Sequence, residues 1–320
     1  MPVVTYKDNA ISVKQGDSVL ETLEKAEFTI PFSCRAGVCH SCIMQTEEAV
    51  PKAAQEGLSA SQVSQGYFLA CSCYPVNDIS VRLRGSVDFS KGKVIKKTLL
   101  NQTVLAIFIQ VDFRWFPGQY LTLWKDEVNG RSYSIASRCD NDKVIELHVK
   151  RHEQGLLSRW LHDDVVVDDI LTLSLPLGDC FYTEDHHNKP MIMACTGTGL
   201  APLYGILQEA LLQQHAAPIV LYAASGEPGG LYYREVLQSL AEQNEQFSYI
   251  PVVRRRAQKG MLEQDIIDVV KEKHPDLSGH KIFICGAPNV VKTMQRNCFF
   301  QGAAISGILV DAFEMTKVEK

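Results

Sequence analysis

Ser33-Cys34-Arg35-Ala36-Gly37-Val38-Cys39-His40-Ser41-Cys42 sets three thiols at C-x4-C-x2-C spacing, and Cys71 follows 29 positions after the last. That is the ligand spacing of a loop wrapped around a [2Fe–2S] cluster, whose fourth thiolate comes from farther along the chain. Such a loop must turn its N–H groups toward the cluster sulfurs. Ala36 and Gly37 are small enough for that approach, and glycine accepts a positive φ. Two other readings stand beside this one. Zinc sites usually pair two C-x2–4-C knuckles, and Cys71-x-Cys73 is too tight for a second knuckle. Unrelated free thiols would be scattered, yet five of the ten cysteines lie between Cys34 and Cys73.

The remaining composition is that of an ordinary globular protein: 320 residues, 46% hydrophobic and 22% charged, enough for two or three domains. The net charge of −5 argues against nucleic acid. Arg254-Arg255-Arg256, the only basic cluster, reads as a solvated loop. No signal-peptide pattern opens the chain, and no apolar stretch approaches the ~20 residues of a membrane span. The expectation is a cytoplasmic protein whose thiols stay reduced and available to metal.

Along the chain the rhythm changes twice. Alternating runs at 3–6 and 10–13 form a hairpin, and Ser18 with Glu21 makes a capping box opening a helix over 19–26. With the cysteine loop and a last strand at 79–84, this suits a β-grasp domain over residues 1–86. Gly85 to Gly92 reads as a linker. Short β-rich runs at 93–100, 103–111, 120–124, 133–137, 144–149 and 170–175 predict a closed antiparallel barrel over 92–186, with one helix at 156–161. From 188 to 320, strands at 191–195, 219–223, 247–253 and 281–285 alternate with helices at 202–213, 231–243, 262–272 and 289–298. That alternation predicts a parallel sheet covered on both faces. The expected class is thus multidomain α+β and α/β.

The segment 33–42, with Leu69-Ala70-Cys71, strongly resembles ferredoxin domains of plant type. The resemblance implies Cys34, Cys39, Cys42 and Cys71 as ligands, because the cysteine after Leu-Ala is the ligand there, and leaves Cys73 a bystander. His40 replaces the family's usual glycine without removing a ligand.

Pro117-Gly118-Gln119-Tyr120 leads into one strand and Arg131-Ser132-Tyr133-Ser134 opens another. Arginine offers a fork for phosphate, tyrosine a flat face for an aromatic ring, and serine a hydrogen bond to a ring edge. Followed by Leu147-His148-Val149-Lys150 and Gly155-Leu156-Leu157-Ser158, this order resembles the flavin domain of the ferredoxin–NADP⁺ reductase superfamily. It implies that Arg131 and the helix start at Gly155, Leu157 and Ser158 hold the FAD pyrophosphate. Tyr133 would pack on the isoalloxazine and Ser134 lie near flavin N5. His148, Val149 and Lys150 would run along the flavin, although a lone strand histidine is more often structural, so His148 is given no chemistry.

Ala194-Cys195-Thr196-Gly197-Thr198-Gly199-Leu200-Ala201-Pro202 follows a buried strand and opens a helix, where glycines let backbone approach a diphosphate. The third glycine of G-x-G-x-x-G is missing. Together with Cys285-Gly286-Ala287-Pro288, it resembles the two segments bordering the nicotinamide in the same superfamily. That implies Thr196, Gly197, Thr198, Gly199, Cys285 and Gly286 as contacts, with Cys285 beside the hydride path. On chemistry alone Cys285 is equally a buried apolar thiol. Glu227 follows the second strand, where an acid suits a free ribose 2′-hydroxyl and a 2′-phosphate would want Arg or Lys. Arg234 is the nearest downstream cation, so NADH is expected over NADPH; a solvated loop is the plainer reading. Val310-Asp311-Ala312-Phe313-Glu314 resembles the terminal Asp-Ala-Phe of aromatic-ring dioxygenase reductases. There Phe313 would cover the flavin; otherwise it is a last core residue.

Taken in order, the resemblance is to the N-terminal-ferredoxin class of oxygenase reductases, of the benzoate and naphthalene dioxygenase type. It implies hydride transfer from NAD(P)H to FAD and single electrons onward to [2Fe–2S]. The acceptor would be a terminal oxygenase or another electron-accepting protein docking near the ferredoxin domain. Ser134, Cys285 and Phe313 would stand nearest the reacting atoms. A deoxysugar reductase of the CDP-4-keto-6-deoxyglucose type shares the layout. A redox sensor or zinc-binding interaction module is the reading from another class. Neither nucleic acid nor membrane is an expected partner.

Overall fold

The computed structural model describes residues 2–32, 35–37, 42–58, 60–83, 89–126 and 129–313. They divide into two units, Met1–Val87 and Asp88–Lys320.

In the first unit β1 (Val3–Tyr6) and β2 (Asn9–Ser12) pair antiparallel. Their turn residues Lys7 and Asp8 take φ of 48° and 64°, as a two-residue hairpin matched to strand twist requires. α1 (Val19–Lys25) begins at the expected capping box: Ser18 Oγ accepts from the Glu21 N–H, and the Glu21 carboxylate accepts from the Ser18 N–H. Its buried face is Val19, Leu20 and Leu23. β3 (Ile43–Gln45), α2 (Ala60–Ser64), β4 (Tyr67–Leu69), β5 (Ile79–Ser80) and β6 (Arg82–Leu83) follow. The sheets run β2-β1-β5 and β4-β3-β6, with β5 parallel to β1, a β-grasp arrangement. The expected last strand at 79–84 is split between the two sheets, and Arg84 lies outside the described residues.

The second unit opens with β7 (Phe89–Leu99), β8 (Val104–Gln110), β9 (Tyr120–Trp124), β10 (Gly130–Ser134), β11 (Val144–Lys150), α3 (Leu156–Asp163) and β12 (Ile170–Ser174). The order β10-β9-β12-β7-β8-β11 is antiparallel throughout, and a bridge from Ile135 to Leu147 joins the two edges and closes the barrel. The expected linker through Gly92 is corrected here. Lys91 and Gly92 are strand residues paired with Thr172 and Leu171. A Cβ on Gly92 would stand 2.6 Å from Ile109 and 2.7 Å from Leu173, so this glycine permits close packing rather than a break.

Next come β13 (Met191–Thr196), α4 (Leu200–Leu212), β14 (Ile219–Ser225), α5 (Arg234–Gln243), β15 (Phe247–Val253) and β16 (Leu262–Glu263). α6 (Ile266–Lys273), β17 (Lys281–Gly286), α7 (Pro288–Phe300) and β18 (Ile308–Ala312) complete the described chain. The sheet is parallel, ordered β16-β15-β14-β13-β17-β18. Along β13, Met191, Met193 and Cys195 enter one core while Ile192 and Ala194 enter the other, so both faces are covered. Leu262 and Glu263, expected in a helix, pair instead with β15; α6 starts after Asp265, whose side chain accepts from the Ile267 N–H at 2.9 Å. No described helix is long and apolar enough to cross a membrane.

Candidate functional site

Of the four expected cluster ligands, Cys34 and Cys39 lie outside the described residues, as does His40. Cys42 and Cys71 are both buried at neighbouring ends of β3 and β4, where the Ala70 N–H donates to the Cys42 carbonyl at 3.0 Å. Burial beside Cys71 pushes the Cys42 thiol up to about 11. Cys73 is fully buried in the apolar core, and burial pushes its thiol to about 12. Gly37, at φ +72°, passes so near the Cys71 turn that a Cβ would lie 2.7 Å from Ser72 Oγ. Two buried thiols beside a glycine cradle suit an iron–sulfur cluster. Among the described residues no group of three or more His, Cys, Asp or Glu could hold a metal. Arg35 has a role that spacing alone does not reveal: a two-pronged pair with Glu24 of α1, at 2.7 and 2.9 Å, ties the ligand loop to the helix.

On the barrel, β10 carries Arg131, Tyr133 and Ser134. Arg131 is exposed, with Nη1 donating to the Gly130 carbonyl at 2.7 Å. Tyr133 is half-buried, and burial raises its phenol. Ser134 is buried and donates to Asp311 Oδ2 at 2.6 Å. Burial holds that carboxyl above its ordinary range despite the hydrogen bond. Asp311 was legible only as part of a terminal motif, because its partner lies 177 positions away. Gly155 heads α3 without a side-chain cap, and a Cβ there would meet Ser158 Oγ at 2.3 Å. First-turn amides without a cap, approached by bare backbone, suit a pyrophosphate. Leu157 is buried beneath that turn, Val149 lies in the barrel core, and Lys150 is exposed. His148 lies outside the barrel core, and its ring nitrogens engage Glu146 Oε1 at 2.8 Å and the Tyr232 hydroxyl at 2.9 Å, a structural role for its side chain.

At the sheet's carboxyl edge two loops interlock. A Cβ on Gly199 would stand 2.3 Å from the Cys285 carbonyl oxygen, and one on Gly286, at φ +124°, 2.5 Å from Thr196 Oγ1. Thr196 Oγ1 accepts from the Ala287 N–H at 3.0 Å, and the Phe313 N–H donates to the Gly286 carbonyl at 2.9 Å. Gly197, at φ +55°, borders open space, and Thr198 is half-buried. Cys285 is buried between Cys195 and Asp311 on neighbouring strands, and burial pushes its thiol up. Glu227 is held by cations from farther along the chain: Arg255 Nε and Arg256 Nη1 reach its carboxylate at 2.7 and 3.3 Å. Two of the three arginines read as a solvated loop therefore share Glu227, and the third, Arg254, pairs with Asp265 at 3.1 Å.

Three family models match in the same order. A 2Fe-2S iron-sulfur cluster binding domain covers residues 4–76, an oxidoreductase FAD-binding domain 92–182 and an oxidoreductase NAD-binding domain 193–296. The chain belongs to the N-terminal-ferredoxin class of ferredoxin reductases. The reductase is 27% identical over 322 residues, 97% of its length and 98% of the relative's, to the reductase component of a naphthalene 1,2-dioxygenase system from Pseudomonas putida. It is 29% identical over 309 residues (90% and 91%) to the reductase subunit of an aromatic O-demethylase from Amycolatopsis. A CDP-6-deoxy-L-threo-D-glycero-4-hexulose-3-dehydrase reductase from Yersinia pestis matches at 25% over 339 residues (98% and 99%). Among solved structures, an Amycolatopsis cytochrome P450 reductase superposes with TM-score 0.68 at 25% identity, covering 98% of this chain and 99% of that one. The reductase is an NAD(P)H-dependent oxidoreductase that moves electrons through FAD to a [2Fe–2S] cluster.

Proposed function

We propose that the reductase oxidises NADH in preference to NADPH and delivers single electrons to a terminal oxygenase or another protein acceptor in the cytoplasm. The observation that carries this reading is the meeting of Ser134, Asp311, Cys285 and the Thr196–Gly199 loop at the junction of barrel and parallel sheet. The named dioxygenase and demethylase relatives support an oxygenase acceptor; the deoxysugar relative keeps that second acceptor class in view. Domain limits of 1–86, 92–186 and 188–320 suit the matched segments.

FAD, when bound, would supply the exchange between a donor of two electrons and acceptors of one. The residues supply position. Arg131 and the uncapped start of α3 at Gly155, Leu157 and Ser158 receive the pyrophosphate, and Tyr133 flanks the ring. Ser134 directs its hydrogen to Asp311, which leaves its oxygen lone pairs free for a flavin N–H. The amides around Gly197, Thr198 and Gly199 receive the dinucleotide phosphates, Cys285 and Gly286 back the nicotinamide, and Phe313 is tethered at Gly286 where an aromatic shield is needed.

Glu227, held by Arg255 and Arg256, is an acceptor for a ribose hydroxyl and a barrier to phosphate. Glu227→Ala frees both guanidinium groups, so the ratio of kcat/KM for NADPH over NADH should rise about tenfold. An unchanged ratio in steady-state assays with ferricyanide would remove Glu227 from nucleotide recognition.

A further inference from the structure

Glu146 is a carboxylate sealed into the second unit for no reason the electron path supplies. Ile145, Leu147 and Val149 of β11 fill the barrel core, so Glu146 and His148 project from the opposite face of the strand. They are only 7% and 4% exposed. A buried carboxylate persists only with partners, and Glu146 has two. His148 Nε2 lies 2.8 Å and the Tyr233 hydroxyl 2.5 Å from its Oε1. The carboxylate only accepts, so His148 Nε2 carries the hydrogen, and in the neutral ring Nδ1 accepts from the Tyr232 hydroxyl at 2.9 Å.

Both tyrosines end the loop that leaves β14, carries Glu227 and enters α5. Tyr233 heads α5 at φ +55°, a conformation a bulky residue holds only under constraint. The same loop is tied to the barrel a second time, where Asn101 Nδ2 donates to the Gly229 carbonyl at 3.3 Å. From α4, the Tyr204 ring packs on Tyr233 with centroids 4.9 Å apart. The loop is thus fastened to the flavin barrel as well as to its own sheet.

We propose that Glu146 is a positioning residue that fixes the Gly226–Tyr233 loop to the flavin barrel, so that the adenosine end of the dinucleotide is bound in register with the flavin. This rests on the reading of Glu227 as the ribose contact. His148 then acts through Glu146 and Tyr232, which accounts for a buried histidine whose two ring nitrogens are both engaged by these side chains.

The test is the dissociation constant of ADP-ribose, which has no nicotinamide, measured by calorimetry on the FAD- and cluster-loaded protein. Glu146→Gln keeps the shape and removes the charge. It should weaken ADP-ribose and raise the KM for NADH by the same factor, about tenfold, with kcat unchanged. Tyr233→Phe should act in the same direction, and the double variant should be no worse than Glu146→Gln, since the two form one unit. Should Glu146→Gln fold poorly, Tyr233→Phe alone carries the test. Unchanged ADP-ribose binding, or a fall in kcat at constant KM, overturns the proposal. If Glu227→Ala weakens ADP-ribose while the Glu146 and Tyr233 variants do not, only this proposal fails. If none of the three does, the ribose reading has failed with it.

Discussion

Cys71 and Cys73 are separated by one residue and by their surroundings. Cys71 sits against Cys42 and near the turn made by Gly37, whereas Cys73 is enclosed by the ferredoxin core. Cys71→Ser should abolish or cripple the cluster absorption and leave FAD bound, while Cys73→Ser should keep both. Loss of the cluster bands only in Cys73→Ser would reverse the ligand assignment. Spacing made the thiol set legible because cluster ligation constrains local sequence. Partnerships across long separations were not legible. Nothing in Arg254-Arg255-Arg256 announces that two of its members grip Glu227, and nothing in Leu147-His148-Val149 says what faces the outer side of that strand. Period-two alternation turns Glu146 and His148 away from the barrel core, but only the parallel sheet brings the tyrosines to them.

At the scale of elements, strand and helix rhythm carried most of the architecture. The errors have physical causes. Gly92 resembled a linker glycine, yet it lies where β7 crosses close to Ile109 and Leu173. Leu262 and Glu263 fitted a helical window, yet the edge of the parallel sheet had an open row of hydrogen bonds for them to fill. The loop between β13 and α4 is the element whose glycines are most sharply distinguished. Gly199 faces the Cys285 carbonyl with no room for a methyl group, whereas a methyl at Gly197 meets nothing and strains only its positive φ. Gly199→Ala should therefore lower stability by about 2 kcal/mol and weaken NADH binding. Gly197→Ala should cost ~1 kcal/mol. Thermal melts with and without NADH compare them, and a larger loss at Gly197 would contradict the interlocked-loop geometry.

For the whole molecule, the three matched domains supply the NAD, FAD and [2Fe–2S] stations of the electron path, and the proposed point of hydride entry is the junction of barrel and parallel sheet, where Ser134 meets Asp311. What the sequence left open at this scale was how binding of the dinucleotide is coupled to the flavin barrel, because the coupling residues come from β11, α4 and the loop before α5. The most direct test of the electron path is an anaerobic absorption spectrum of the loaded protein, recorded before and after NADH and then with NADPH. Overlapping flavin and iron–sulfur bands should both bleach, faster with NADH. Flavin bands that bleach while the cluster bands stay unchanged, or a protein that takes up neither chromophore after reconstitution with iron, sulfide and FAD, would contradict that path.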